Sequence, residues 1–458
     1  MCDDASDVSS EDGTRSLQSL VADANRGRRR QLHVGTAIMP HLLDDLKYEA
    51  VANEHFDHVV CEHHHKWEPL LAKRADGTEV YDFTQSDRIV DWARRGGNKV
   101  KGHTLVWHVT SPKWIEEAPQ ARLREAVFEH IKTTMNHCLG KVYAWDVVNE
   151  PLHPDATGRL ADTPFLRKLG PAYIDDCFRV AHHTDPNAVL ILNENKGEGA
   201  GLPRGRSAKA DALFALSRDL LARGVPLHEV GLQAHFDAAG TGQRRVPTPH
   251  SVARNIARFG DLGLGVNISE MDVRAAGLEQ VGLGLAQRDA AAAAVFHDTL
   301  AAALAQPAFT GVTFWGFCDA HSWCHDFYKC VDRPLLWDAA WRPKPALAAV
   351  RRALRGAACS ENGLRNAEAA AAAAEGAAEQ DPDAFSTAAF GSEELWGSDW
   401  MLPEPVEGGA GGTGAGPVAG VSVDEPDWSA GQRYVDVTAN VTAHVTARPQ
   451  PAVHESNR

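Results

Sequence analysis

Two glutamates end apolar runs at points where a carboxylate has no packing role. Residues 144–153 read AWDVVNEPLH, a β-branched stretch stopping at Asn149-Glu150, and residues 264–272 read LGVNISEMD, with Ser269-Glu270 near its end. A strand buried on both faces gains nothing from a carboxylate at its tip, because desolvating the charge costs energy. Two such tips facing each other could divide acid–base and nucleophilic work between them. Comparable runs end in Glu62, His103, Asn193-Glu194, Gln233 with His235, and Trp315. For any single position, a solvated residue or a helix-cap neighbour is the plainer reading. That reading must be repeated independently at nearly every run, which favours a shared surface.

The runs themselves indicate what positions these residues. HVGTAI (33–38), DHVVCE (57–62), KVKGHT (99–104), VYAWDVVN (142–149), AVLILN (188–193), EVGLQAH (229–235), LGVNISE (264–270) and GVTFWG (311–316) read as strands. Helical patterns such as TQSDRIVDWARRGG and SAKADALFALSRDLLARG separate them, the latter closing at Gly224. Regular alternation of strand and helix predicts an α/β fold with a parallel sheet, and this many units predict a (β/α)8 TIM barrel. An open doubly wound sheet is the alternative, but no Gly-rich phosphate loop follows the first strand. In a barrel, the strand ends form one mouth. Glu150 and Glu270, on the fourth and seventh strands, would then stand across it. A retaining glycosidase needs this arrangement, with one carboxyl as nucleophile and the other as acid and then base, about 5–5.5 Å apart.

Composition bounds the rest. The 458-residue chain carries a formal charge of −15, and residues 367–458 hold fifteen Asp or Glu against three Arg. The preceding body is therefore close to neutral. It offers no basic surface for nucleic acid and no polybasic cluster for a membrane, and RGRRR (26–30) is expected to be a solvated lead-in. No apolar run is long enough to span a bilayer, and the acidic first 20 residues show no secretory signal, which leaves the compartment open between cytoplasm and exterior. The eight cysteines lack paired metal-site spacing and are expected to be free thiols. The expected organisation is a disordered lead-in over 1–30, the barrel over 31–357, and an acidic, Ala/Gly-rich disordered tail over 358–458.

At the level of motifs, the chain resembles glycoside hydrolase family 10, the endo-β-1,4-xylanases, over nearly all of residues 32–350. The resemblance is carried by GHTLVWHV (102–109), WDVVNEP (145–151), GLQAH (231–235), ISEMD (268–272), GVTFWGFCDAHSW (311–323) and PLLWDAAWRPKPA (334–346). It implies Glu150 as acid/base and Glu270 as nucleophile. It implies that Asn149 holds the 2-hydroxyl of the cleaved sugar, and that Gln233 and His235 flank the nucleophile. His103, Trp107, Trp315 and Trp323 would shape the site around that sugar, with Trp107 and Trp315 alternatively part of the barrel core. Glu62, His63 and Lys66 would meet the next glycone sugar. The implied partner is a xylan or xylo-oligosaccharide substrate, with no cofactor, no metal and a monomeric protein.

Three motifs depart from the family pattern. Glu62-His63-His64-His65-Lys66-Trp67 replaces Glu-Asn-x-x-Lys-Trp, Asn193-Glu194-Asn195-Lys196 replaces Asn-Asp-Tyr-Asn, and Cys324 follows Trp323 where Arg is usual. These departures keep three alternatives open: a non-catalytic carbohydrate-binding barrel, a glycosidase or transglycosylase for another β-glycan, and a zinc amidohydrolase using His63 and His65.

Overall fold

The computed structural model describes residues 15–358 apart from residues 27, 76, 154–157, 201–207 and 241–245. The expected tail, Cys2 and Cys359 lie outside the described residues. Eight parallel strands close on themselves. They are β1 His33–Ile38, β2 His58–Cys61, β3 Lys99–Val106, β4 Ala144–Asn149, β5 Val189–Glu194, β6 Glu229–Leu232, β7 Gly265–Arg274 and β8 Phe309–Phe314. Each strand pairs in parallel with the next, and β8 pairs back to β1 with His33 opposite Gly311. This is a (β/α)8 barrel. Closure removes both sheet edges, so every strand is flanked on two sides.

Helices cover the outside because their patterns give each one an apolar stripe. In Thr84–Arg95 the buried residues include Ile89, Val90, Trp92 and Ala93, while Arg94 and Arg95 are exposed in the last turn. Pro249–Asp261 starts at Thr248, whose hydroxyl accepts from the Ser251 amide, and buries Val252, Ile256 and Phe259. Phe314 of β8 meets Phe56 and Phe296 from the surrounding layer at ring separations of 6.3 and 6.0 Å. Fully burying each such ring contributes about 1.5–3 kcal/mol. The helix Ala208–Ala222 is followed by Gly224 at φ +65°, the left-handed residue the sequence places there. Among the described residues no helix is long and apolar enough to cross a membrane.

Two expectations are corrected. The lead-in is not structureless throughout: Leu17–Ala24 forms a helix, capped by Ser16, that buries Leu17, Leu20, Val21 and Ala24. Arg28 beyond it donates to the carbonyls of Leu304, Gln306 and Phe309, and Arg30 to that of Gly263. Arg28 and Arg30 therefore tie down open carbonyls at the base of the barrel. The second correction concerns EVGLQAH, which is not one strand. β6 stops at Leu232, Ala234 adopts φ +60°, and His235–Asp237 forms a separate short strand on Asp272–Arg274 of β7. This break lets Gln233 and His235 present to the mouth from a bent segment.

Candidate active site

The mouth is built from the bottom up by charges on inward-facing strand positions. Asp146 of β4 is fully buried and accepts from Lys101 Nζ at 2.9 Å, and its Oδ2 lies 2.8 Å from His103 Nδ1. Lys101 and His103 alternate on β3, and the register sets His103 opposite Asp146. A buried carboxylate held between two basic groups locks the imidazole ring beneath the site. His103 also meets Trp315 edge-on at 5.1 Å.

Glu270 sits on this platform, 4 % exposed. Its Oε1 accepts from Asn193 Nδ2 at 2.7 Å and lies 4.0 Å from His103 Nδ1, while its Oε2 lies 3.1 Å from His235 Nε2. Burial pushes the carboxyl up, but the charge of His103 and the hydrogen bond and charge of His235 outweigh it and hold Glu270 down to about 2. His235 shows the opposite balance. Burial lowers it, but the charge and hydrogen bond of Asp272, 2.8 Å from Nδ1, and then Glu270 raise it to about 9. Trp323 Nε1 donates to the same Asp272 oxygen at 2.7 Å. Glu270 is thus an ionised carboxylate with an imidazolium beside it.

Glu150 lies in a different setting at the tip of β4. The residue adopts φ +53° and its amide donates to Asn193 O, so the chain turns sharply and the side chain enters the mouth. Gln233 Nε2 donates to Oε1 at 2.8 Å and Trp107 Nε1 to Oε2 at 3.1 Å. Asn149 bridges the two carboxylates, since its Oδ1 accepts from Asn193 Nδ2 at 2.8 Å and Gln233 Nε2 approaches it at 3.5 Å. A continuous polar chain therefore runs from Glu150 through Gln233, Asn149 and Asn193 to Glu270.

On the β2 side, Lys66 places Nζ 5.0 Å from the Trp107 ring centre and 5.9 Å from that of Trp315. Burial lowers its pKa, opposed by the carboxylates of Glu270, Glu62 and Glu150 around it. Glu62 is pushed up to about 7, by burial first, then by Asp272 and Glu270, with Lys66 pulling the other way. His63 is held down to about 2 by burial and by the charges of Lys66, His64 and His103, so its ring stays neutral. Trp323, half-buried, closes the far side with its ring 4.9 Å from His235. All twelve residues expected from the sequence lie around this mouth. Trp315 is buried, yet it faces His103 and Lys66, so it serves as wall and core together.

His63 and His65 meet different surroundings. His65 is fully buried, its ring 5.2 Å from Trp145 and its Nε2 near the thiols of Cys61 and Cys138, whereas His63 packs edge-on against His64. The turn Glu62-His63-His64-His65 carries alternate rings to opposite surroundings. The residues the sequence left without roles are Asn193, Asp272, Asp146 and Lys101. Their signal was a charged or amide side chain at an inward position of an otherwise apolar strand. Cys324 is buried, as are Cys61, Cys138, Cys177 and Cys318; these and the half-buried Cys330 are all free thiols.

A (β/α)8 barrel whose mouth holds an ionised carboxylate joined by a polar chain to a second carboxyl group has the layout of a glycoside hydrolase. The model of glycosyl hydrolase family 10 matches residues 24–353, and the chain belongs to that family. It is 31% identical over 325 residues to endo-1,4-beta-xylanase B of Thermotoga neapolitana, covering 70% of this chain and 88% of that one. It is 34% identical over 327 residues to a beta-1,4-xylanase of Dictyoglomus thermophilum, covering 65% and 82%. The structure of xylanase 10B from Thermotoga petrophila in complex with xylobiose superposes with a TM-score of 0.66 at 30% identity, covering 75% of this chain and 98% of the other.

Proposed function

We propose that this chain is a retaining endo-1,4-β-xylanase that cleaves xylan and xylo-oligosaccharides by double displacement. The observation that carries this reading is an ionised Glu270 joined through Asn193, Asn149 and Gln233 to Glu150 across the mouth. Glu270, kept ionised by His235 and His103, attacks the anomeric carbon as the bond to the leaving oxygen breaks. Glu150 delivers its proton to that oxygen, then takes a proton from the water that releases the sugar from Glu270. Asn149 holds the 2-hydroxyl, a contact that strengthens in the transition state. Trp107, Trp315 and Trp323 line the sugar being cleaved, and Glu62, His63 and Lys66 bind the next sugar on the glycone side. Xylanase relatives and the xylobiose complex support the substrate class. In this reading the protein is a monomer with a carbohydrate partner only and no cofactor.

The departures bear on substrate contacts. Asn195 offers no ring on the leaving-group side, which weakens polymer binding there by about 1–2 kcal/mol relative to an aromatic platform. Hydrolysis of xylan and of an aryl β-xylobioside by the intact protein, Glu150→Gln and Glu270→Gln tests the assignment. Retained anomeric configuration, loss of turnover in Glu270→Gln, and a Glu150→Gln variant slowed about 10²–10⁴-fold on xylan are expected. On the aryl substrate, whose leaving group needs little protonation, Glu150→Gln slows deglycosylation more than bond cleavage. A folded protein inert on both substrates would reject xylanase activity.

A further inference from the structure

At the end of the barrel opposite Glu150 and Glu270, the strands begin around a second polar group. His33 opens β1, His58 opens β2, and Asp57 immediately precedes it. One ligand atom from each lies within 4.8 Å of the other two. Asp57 approaches His33 Nδ1 through Oδ2 at 3.7 Å and His58 Nδ1 through Oδ1 at 3.4 Å. These separations are long for charge-assisted N–H···O bonds, which run about 2.7–2.9 Å. Around a tetrahedral ion, zinc–ligand bonds of about 2.0–2.2 Å put neighbouring donors about 3.3–3.6 Å apart, and the two histidines here stand at about that range from different oxygens of Asp57.

We propose that His33, Asp57 and His58 bind a divalent transition-metal ion of the zinc class at the amino-terminal mouth of the barrel, independently of the hydrolytic site. The surroundings fit a ligand set. His58 Nε2 lies 2.8 Å from Thr313 Oγ1, which anchors the ring by one nitrogen and aims the other at Asp57, the usual arrangement for a ligating imidazole. Gly35 makes room for that ring, since a Cβ there would lie 2.2 Å from His58 Nε2. The Val34 amide donates to Asp57 Oδ1 at 2.9 Å and fixes the carboxylate.

The nearby cations are committed elsewhere, Lys101 to Asp146 at 2.9 Å and Lys99 over the Tyr143 ring at 5.6 Å. Beside His33 and His58 lies a cavity of about 300 Å³, lined by Tyr143, Glu229 and Asn267 among others. Two imidazoles and one carboxylate with an open position suit zinc or cobalt and not magnesium or calcium, which take all-oxygen shells. The ion would link the first residues of β1 and β2, a structural clamp far from the chemistry.

The test uses the full chain without a polyhistidine tag, stripped with a chelator and titrated with Zn²⁺ and Co²⁺. One tightly bound equivalent, the visible absorption of four-coordinate Co²⁺, and a rise in Tm on adding Zn²⁺ are expected. His33→Ala and Asp57→Asn should abolish all three while hydrolytic activity persists, which also reports that the variants fold. Thr313→Val, which removes only the anchor of His58, should weaken binding about 10–100-fold. His64→Ala, in the separate histidine cluster of the catalytic mouth, should leave the equivalent in place. Absence of a bound equivalent, or one that survives His33→Ala and Asp57→Asn, overturns the proposal and leaves the three residues as a hydrogen-bonded group without an ion.

Discussion

His235 holds opposing relations with its two acidic neighbours: Asp272 charges it and Glu270 uses the charge. Its folded pKa, about 9, lies above the ordinary 6.5, so its contribution to stability is complete below pH 6.5 and is lost as pH rises through about 9. Glu270 is shifted the other way, from 4.5 to about 2, so its contribution is present above pH 4.5 and is lost as pH falls toward 2. The pair therefore supports the fold fully between about pH 4.5 and 6.5. In His235→Gln the donor remains but the charge does not. The acid limb of kcat/KM should move up toward the ordinary glutamate range or beyond, because burial then acts on Glu270 with less opposition. A pH–rate profile whose acid limb does not move would assign His235 a purely steric role. A Tm–pH series should show the variant losing the alkaline decline that His235 causes.

Strands and helices decide how firmly these residues are held. Gly231 of β6 packs against the Asn193 amide, and a Cβ there would lie 2.2 Å from Asn193 Oδ1. Gly231→Ala should displace the amide that links Asn149 to Glu270, costing about 1–3 kcal/mol in stability. It should also lower kcat by a larger factor than the stability loss explains at a temperature where the protein is folded. Unchanged turnover in a folded Gly231→Ala protein would show that Asn193 is not needed as the bridge.

The helix Ala208–Ala222 contributes Lys209, whose Nζ lies 2.8 Å from Glu194 Oε1, both side chains almost fully buried. Glu194 is pushed up to about 7, by burial first, with Lys209 opposing; its Oε2 accepts from the Leu152 amide and so steadies the turn that carries Glu150. Lys209→Met leaves that carboxylate uncompensated and should cost about 3–5 kcal/mol in denaturant unfolding. A loss below about 1 kcal/mol, the scale of an exposed pair, would show that water reaches Glu194.

At the scale of the molecule, the two ends of the described chain hold each other. The helix Leu17–Ala24 lies against the closing helix Pro345–Ala358, and Arg351 Nε donates to the Arg15 carbonyl at 2.9 Å. Leu17 is fully buried, so Leu17→Ala should destabilise the barrel by about 2–5 kcal/mol, read as a drop in Tm with the pH–rate profile unchanged. A neutral result would mean that the helix is an ornament on a barrel closed without it. The sequence hid this element because its acidic, serine-rich beginning dominates the composition of the first 30 residues, and a helix of eight residues leaves only a brief apolar pattern.

The sequence by itself determined the strand and helix alternation, and through it the barrel. Once the strands were counted, it also determined which side chains stand at their ends, because residue order along a strand fixes which residue comes last. Glu150, Glu270, Asn149, Gln233 and His235 were legible for that reason and through the family motifs around them. Only the tertiary structure decided the electrical character of those groups. Whether Glu270 is charged depends on His103 and His235, which arrive from other strands and act through a few ångströms of low-dielectric interior. The same holds for the break after Leu232 and for the opposite fates of His63 and His65, where backbone direction decides the neighbours. It holds equally for His33, Asp57 and His58, whose meeting at the barrel floor depends on the closeness of β1 and β2 and on the space that Gly35 leaves.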